Sequence, residues 1–197
     1  ELSISRYWAR PVLSPAEKEF SAPSFENAVE ITENLIDDAV GIRLMSDVPL
    51  GAFLSGGLDS SIIALCAKRH STAPSFPLYC GGSDDECLNE YAFAAEMASL
   101  LGFEVERVDT NPASFMRDWG MLCQRKGLPL STPNEVMLYH LSKALGRQCK
   151  VALIGEGSDE LFGGYVQPQY SAVDLERSIA AGGDAAFENS HLGLSLS

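Results

Sequence analysis

Residues Ser55-Gly56-Gly57-Leu58-Asp59-Ser60-Ser61 place two glycines, three hydroxyls and one carboxylate between two apolar runs. The run before them, Pro49 to Leu54, reads as a short buried strand opened by a proline. The run after them, Ile62 to Ala67, reads as the first turns of a buried helix. Glycines let a backbone come close to a ligand. The start of a helix offers N–H groups without intrahelical acceptors and a partial positive charge. Together these make a phosphate site, with the backbone N–H groups of Ser55, Gly56, Gly57 and Ser60 as expected donors. Asp59 would repel a phosphate unless a cation lay between them, so the chemistry expected is that of a Mg²⁺-nucleotide, with Asp59 on the metal. The alternative is a strand–turn–helix corner whose glycines serve the turn and whose Ser or Asp caps the helix. The spacing fits neither a Walker A loop nor a dinucleotide-binding Gly-x-Gly-x-x-Gly.

A second constellation follows the apolar run Lys150 to Ile154: Gly155-Glu156-Gly157-Ser158-Asp159-Glu160, continuing to Leu161-Phe162-Gly163-Gly164-Tyr165. It puts three carboxylates within five residues at the C-terminal end of a strand. That is the end at which ligands bind in open α/β sheets. Crowded carboxylates repel one another, and a cation or cationic substrate relieves that. Asp159 is therefore expected to share Mg²⁺ with Asp59. Glu156 is the first of these acids, and Glu160 reads as a helix-capping acid.

The elements that must position these loops alternate. Phe25 to Met45 is amphipathic, with Ala28, Ile31, Leu35, Ala39 and Ile42 near helical spacing, and Ser24 is placed to cap it. Strands are predicted over 50–54, 76–80, 103–108 and 151–154. Helices are predicted over 59–69, 86–101, 111–126 and 134–145, with Gly81 to Asp85 as a loop. Strand–helix alternation predicts an α/β fold: an open parallel sheet with helices on both faces.

Composition narrows the function. The 197 residues carry 14 Lys and Arg against 27 Asp and Glu, a formal net charge of −13. A nucleic-acid binder would need a basic patch, so a small-molecule substrate is expected and nucleic acid is not. No apolar run approaches the roughly 20 residues of a membrane span, and no signal peptide is evident. Five cysteines, Cys66, Cys80, Cys87, Cys123 and Cys149, are odd in number and never spaced as Cys-x-x-Cys, which points to a reducing, cytoplasmic setting. Cys66 and Cys80 are expected to be small core residues, Cys80 closing its strand. His70, His140 and His191 are expected at helix ends or on the surface.

Ser55 to Ser61 together with Gly155 to Tyr165 resemble the synthetase domain of glutamine-dependent asparagine synthetases, a domain of the adenine-nucleotide α-hydrolase-like fold with a pyrophosphatase loop. The similarity runs over about residues 1 to 170. Arg6 to Pro11 resembles the linker behind that family's glutaminase domain, and Ala39 to Pro49 its helix leading into the first strand. The resemblance implies three segments: a linker over 1–24, an ATP-pyrophosphatase domain over 25–170, and a truncated or atypical tail over 171–197, the chain being read as a fragment. It implies ATP and Mg²⁺ as cofactors. It implies adenine against Phe53 or Leu54, Cys80, Ile154 and Gly155, and metal on Asp59 and Asp159. A carboxylate, aspartate by default, would be adenylated and then attacked by ammonia from a glutaminase domain, with Glu156 helping to take the proton from the attacking nitrogen, releasing AMP and pyrophosphate. A homodimer of the intact protein is compatible with it. Leu128 and Thr132 stand where the family has acids, which leaves the amino-acid substrate open. The family's lysine beyond Gly-Gly-Tyr is missing from this fragment or lies in sequence outside it, since Lys150 is the last lysine here. β-Lactam synthetase-like or peptide-cyclising chemistry, and a non-catalytic ATP-binding module, are the alternatives.

Overall fold

The computed structural model describes residues 3–7, 23–71, 76–83 and 89–164. Tyr165, Cys87, His191, most of the 1–24 linker and the 171–197 tail lie outside the described residues. The chain divides into two compact units, Glu1–Ala39 and Val40–Ser197. Helix α1, Phe25–Arg43, begins in the first. Its start is fixed as its sequence predicts: Ser24 Oγ accepts a hydrogen bond from the Asn27 N–H at 3.3 Å.

The second unit is built on a four-stranded parallel sheet, β1 Leu50–Phe53, β2 Leu78–Gly82, β3 Val105–Asp109 and β4 Val151–Leu153, in the order β3-β2-β1-β4. Helix α2, Leu58–His70, links β1 to β2, and α3, Tyr91–Leu101, links β2 to β3. The chain then runs through α4, Pro112–Lys126, and α5, Asn134–Leu145, to the opposite side of β1, where it forms β4 and the short α6, Ser158–Phe162. Right-handed crossovers place helices that travel in opposite directions along a sheet on opposite faces. The side chains agree. Tyr79 packs with Leu141, Ala144 and Leu145 of α5, so its strand neighbours Leu78 and Cys80 face the other way, and α3 also packs on β2. On that other side, α2 and α3 meet through residues without bulk: Ala64, Ala67, Ala94 and Ala98 are all at most 1% exposed. The open parallel sheet with helices on both faces is the architecture that the alternation predicts.

Three local expectations are corrected. Strand β2 lies two residues further on than expected, so Cys80 is central in it, and Gly81 and Gly82 are strand rather than loop. Their β propensity is low, yet both pair with β3, Gly81 with Val108 and Gly82 with Asp109. Strand β3 likewise ends at Asp109 rather than at Val108. His70 does end α2, but His140 sits within α5, 16% exposed, with Nε2 3.0 Å from Asp118 Oδ2. Asp118 is the buried carboxylate of α4 and receives two hydrogen bonds from Arg117, at 2.9 and 3.0 Å. Those bonds first, and then the charges of Arg117 and His140, hold its carboxyl below the usual range against the opposing effect of burial. The connection between α4 and α5 is fastened by Glu135, which accepts from Lys126 Nζ and from the Ser131 N–H, both at 2.6 Å.

The hydroxyl of Tyr79 is buried with no hydrogen-bond partner. Burial, first, and then the nearby Glu106 and Cys149, hold this phenol above its usual pKa. An unpartnered buried polar group costs about 1–3 kcal/mol. Tyr79→Phe keeps the ring and removes that cost. The variant should be as stable as the parent chain or up to about 2 kcal/mol more stable in urea denaturation. A loss of more than about 1 kcal/mol would show that the hydroxyl has a partner, and would refute this account.

Candidate active site

The order β3-β2-β1-β4 reverses direction at β1: successive strands are added on one side of it until β4 crosses to the other. At such a point the loops leaving the two central strands diverge to opposite faces and open a crevice at the carboxyl ends. Here the loops leaving β1 and β4 are the two chemistry-bearing segments. They touch. A Cβ on Gly155 would lie 3.1 Å from Asp59 Cβ and 3.2 Å from the Ser60 nitrogen, so only glycine lets the end of β4 lie this close to the start of α2.

The crevice opens into a cleft of about 1160 Å³. Phe53, Leu54, Ser55, Asp59, Ser60 and Cys80 line it, together with Ile154, Gly155, Glu156 and Asp159. Gly56 and Gly57, also expected at the ligand, do not line it. Gly56 has φ 79, and a Cβ there would stand 2.6 Å from backbone atoms of Phe93 and Ala94, so this residue seats the turn against α3. Gly57 is the exposed N-cap of α2 and supplies no side-chain cap.

The loop binds itself through its hydroxyls. Ser60 Oγ donates to Gly57 O at 3.2 Å and accepts from the Ser55 N–H at 3.2 Å. Ser55 Oγ lies 3.0 Å from Ser60 Oγ and accepts from the Gly57 N–H at 3.2 Å. Two of the four N–H groups expected to face phosphate are therefore engaged within the loop. The first intrahelical bond of α2 runs from Ser61 N to Gly57 O, which leaves the N–H groups of Leu58, Asp59 and Ser60 without intrahelical acceptors. These donors, at the positive end of the helix dipole, are the ones the fold offers to an anion.

Among the described residues, no three His, Cys, Asp or Glu side chains are grouped to hold a metal by themselves. Glu160 does not line the cleft. It is the third residue of α6, whose N-cap is Gly157, the position from which an acid can cap a helix start. A pair of carboxylates is nevertheless a donor set that suits Mg²⁺, which keeps waters and takes its other ligands from phosphates. Asp159 is held close by its own turn, and a Cβ on Gly164 would collide with its Oδ1. Cys80, in the floor, is 2% exposed. Burial, first, and then Glu90 push its thiol pKa up to about 11 against the opposing charge of Arg107, so it presents a neutral sulfur to a ligand.

Much of the cleft was not indicated by the motifs. Its further half is formed where β3 runs into α4 and by the first turns of α5, including Asn111, Phe115, Pro133, Asn134, Met137 and Leu138. The Asn111-Pro112 pair at a strand's carboxyl end was the available signal: Asn111 Oδ1 caps α4, accepting from Ser114 N at 2.9 Å. Leu128, 65% exposed, and Thr132, also exposed, stand outside the cleft wall.

Residues 32–193 match the family model described as asparagine synthase. The glutamine-hydrolyzing asparagine synthetase 1 of Bacillus subtilis is 36% identical over 140 residues, which are 71% of this chain and 22% of that protein. Asparagine synthetase 3 of the same organism is 30% identical over 188 residues, 89% of this chain and 29% of that one. The amidase chyE of Penicillium rubens is 29% identical over 165 residues, 77% and 25% of the two chains. The chain thus spans about a quarter of the length of these curated relatives. Among solved structures, an NH3-dependent NAD synthetase from Campylobacter jejuni is similar at a TM-score of 0.46 and 12% identity, covering 84% of this chain and 90% of that one. With the family match extending over most of its length and both loops meeting at one crevice, the chain belongs to the asparagine synthase family.

Proposed function

We propose that the cleft adenylates a carboxylate with ATP and passes the acyl group to ammonia or an amine, forming an amide and releasing AMP and pyrophosphate. The observation that carries this reading is the contact between the two loops, Gly155 against Asp59 and Ser60. It sets a helix start suited to phosphates beside the segment bearing Glu156 and Asp159.

Each residue has a definable part. The N–H groups of Leu58, Asp59 and Ser60, with the hydroxyls of Ser55 and Ser60, receive the phosphates. Asp59 and Asp159 hold Mg²⁺, whose charge, when the ion is bound, offsets that of the departing pyrophosphate. Leu54, Cys80 and Ile154 offer an uncharged surface to the adenine. The carboxylate oxygen bonds to the α-phosphorus as the bond to the bridging oxygen of pyrophosphate breaks. The nitrogen nucleophile then bonds to the acyl carbon, AMP leaves, and the proton lost by nitrogen goes to Glu156. In the whole protein the ammonia would come from glutamine, as the relatives' names imply, and a cytoplasmic setting and a homodimer belong to the same reading.

Magnesium-dependent nucleotide binding tests the first half. Calorimetric titration of the 197-residue chain should show ATP bound more tightly with Mg²⁺ than with EDTA. Asp59→Asn should remove most of that difference, by about tenfold or more in Kd, and should leave the ligand-free unfolding free energy within the roughly ±0.5 kcal/mol usual for substitutions outside the core. Equal binding with and without the metal would sink the shared-metal role.

Glu156→Gln tests the second half. Adenylation requires the loop and the metal, whereas amide formation requires a proton acceptor. Losing a general base typically costs about 10²–10⁴-fold. In the intact protein the variant should still exchange labelled pyrophosphate into ATP and should lose amide formation by a factor in that range. If both activities fall together, Glu156 acts before the adenylate and its role as base is wrong.

A further inference from the structure

Strand β2 runs past β1 where it reaches the cleft. Its pairing with β1 ends at Tyr79, while its pairing with β3 continues to Gly82. The stretch beyond Tyr79, Cys80 to Ser83, lines the cleft, and its two middle residues are glycines. Glycine loses more conformational freedom on ordering than any other residue, so such a strand end must be held from outside. Met137 of α5 holds one face, so close that a Cβ on Gly81 would lie 2.8 Å from its sulfur. Arg107 of β3 holds the other, since a Cβ on Gly82 would collide with Arg107 Nε and Asp109 Oδ1. The guanidinium has three engagements there. Nη2 donates to Ser83 O at 3.3 Å, where the chain leaves β2, and Nε donates to Asp109 Oδ1 at 2.6 Å. Its Cζ lies 5.4 Å from the centre of the Tyr91 ring, and the Tyr91 hydroxyl donates to Val105 O at 3.5 Å. A planar fork of donors can bond two acceptors while lying on a ring, and a point charge cannot. One side chain thus ties the exit of β2 to β3 and to the start of α3.

We infer that Arg107 is a positioning residue for the nucleotide: it holds the Gly82-Ser83 end of β2 in the form against which the nucleoside half of ATP binds. The inference rests on the reading of the cleft as a nucleotide site with adenine near Cys80. Arg107 acts through the backbone it fastens, because Gly81, Gly82 and Ser83 line the cleft and Arg107 does not. Its charge nevertheless reaches the floor, where it opposes the effect of burial on the Cys80 thiol. A strand end ordered in advance need not be immobilised when ATP arrives, and preorganisation of this kind raises affinity by removing an ordering cost. The phosphates are received elsewhere, by the loop after β1, which is fastened through its own hydroxyls, Ser55 and Ser60. Loss of the guanidinium is therefore felt by the nucleoside and not by the phosphates.

The test is calorimetric titration of the intact protein, with Mg²⁺ present, by ATP, AMP and inorganic pyrophosphate in turn. Arg107→Met keeps the stem of the side chain and removes the fork. It should weaken ATP and AMP by about tenfold, the loss expected for a hydrogen bond from a charged donor, and leave pyrophosphate within about twofold. Retained pyrophosphate binding also shows that the variant is folded. Gly82→Ala leaves Arg107 in place but pushes its guanidinium aside, so it should weaken the same two ligands and spare the same third. Because both changes break one contact, the double variant should be no weaker than Arg107→Met by more than about twofold. ATP bound as tightly by Arg107→Met as by the unaltered protein overturns the inference. So does an equal loss for ATP and pyrophosphate, which would make Arg107 a support of the whole sheet, and so do full additive losses in the double variant. Each of these results leaves the nucleotide reading standing. Failure of the unaltered protein to bind ATP overturns that reading, and the inference with it.

Discussion

The site depends on one close approach. Gly155, two residues past the last strand, lies against Asp59 and Ser60 at the start of α2, where a side chain would have to push its neighbours back. A Cβ at 3.1–3.2 Å from these atoms is tighter than ordinary van der Waals contact, and here one of the neighbours is backbone. Any substituent would force the two loops apart. Strand pairing supplies the rest of the constraint. Leu50, Gly51 and Ala52 pair with Val151, Ala152 and Leu153, so β4 reaches the crevice in a register that a two-sided core will not let slip.

The core enforces that register through its own lack of space. Gly51 sits where a Cβ would lie 2.7 Å from Pro77 O and 3.3 Å from both Leu145 and Cys149. Tyr79 fills the adjoining volume even though its hydroxyl finds no partner. A tyrosine retained there shows that ring volume outweighs the cost of one unsatisfied hydroxyl, since losing a large core side chain costs about 3–5 kcal/mol and an orphan polar group about 1–3. The sheet is held by packing, and its carboxyl ends are left to carry polar groups that the fold does not itself need.

How much of this was legible follows from which forces are local. Helix α5 has its expected bounds, and α4 starts one residue late only because Asn111 is its cap rather than its first turn. Caps, prolines and periodicity act within a few residues, so a sequence displays them. Strand β2 was misplaced because Gly81 and Gly82 have no intrinsic reason to extend. Their neighbours supply it: Met137 crowds the space over Gly81, and Arg107 and Asp109 crowd that over Gly82. That is information from residues at least 25 positions away. His140 was misread for the same reason, since its partner Asp118 lies on another helix. The apolar wall was hidden differently. Phe115, Met137 and Leu138 have the periodicity of core residues, and nothing local distinguishes an apolar side chain that faces a cleft from one that faces a sheet.

Charge connects the halves of the cleft. Four acids line it and no described lining residue is basic, so the partial charges of a helix start are the positive potential that the wall provides. A helix start is worth about half a unit charge, whereas a triphosphate carries several negative charges. Two unit charges about 4 Å apart interact by about 4 kcal/mol at an effective dielectric of 20. A bare nucleotide beside Asp59 and Asp159 would therefore be repelled by more than the helix returns, and on the proposed reading a divalent cation between the carboxylates and the phosphates would remove that repulsion. On the proposed reading, the acids at the β1–β4 end would be partners of the metal rather than of the phosphates, and the helix start would need to supply only the remainder of the positive potential.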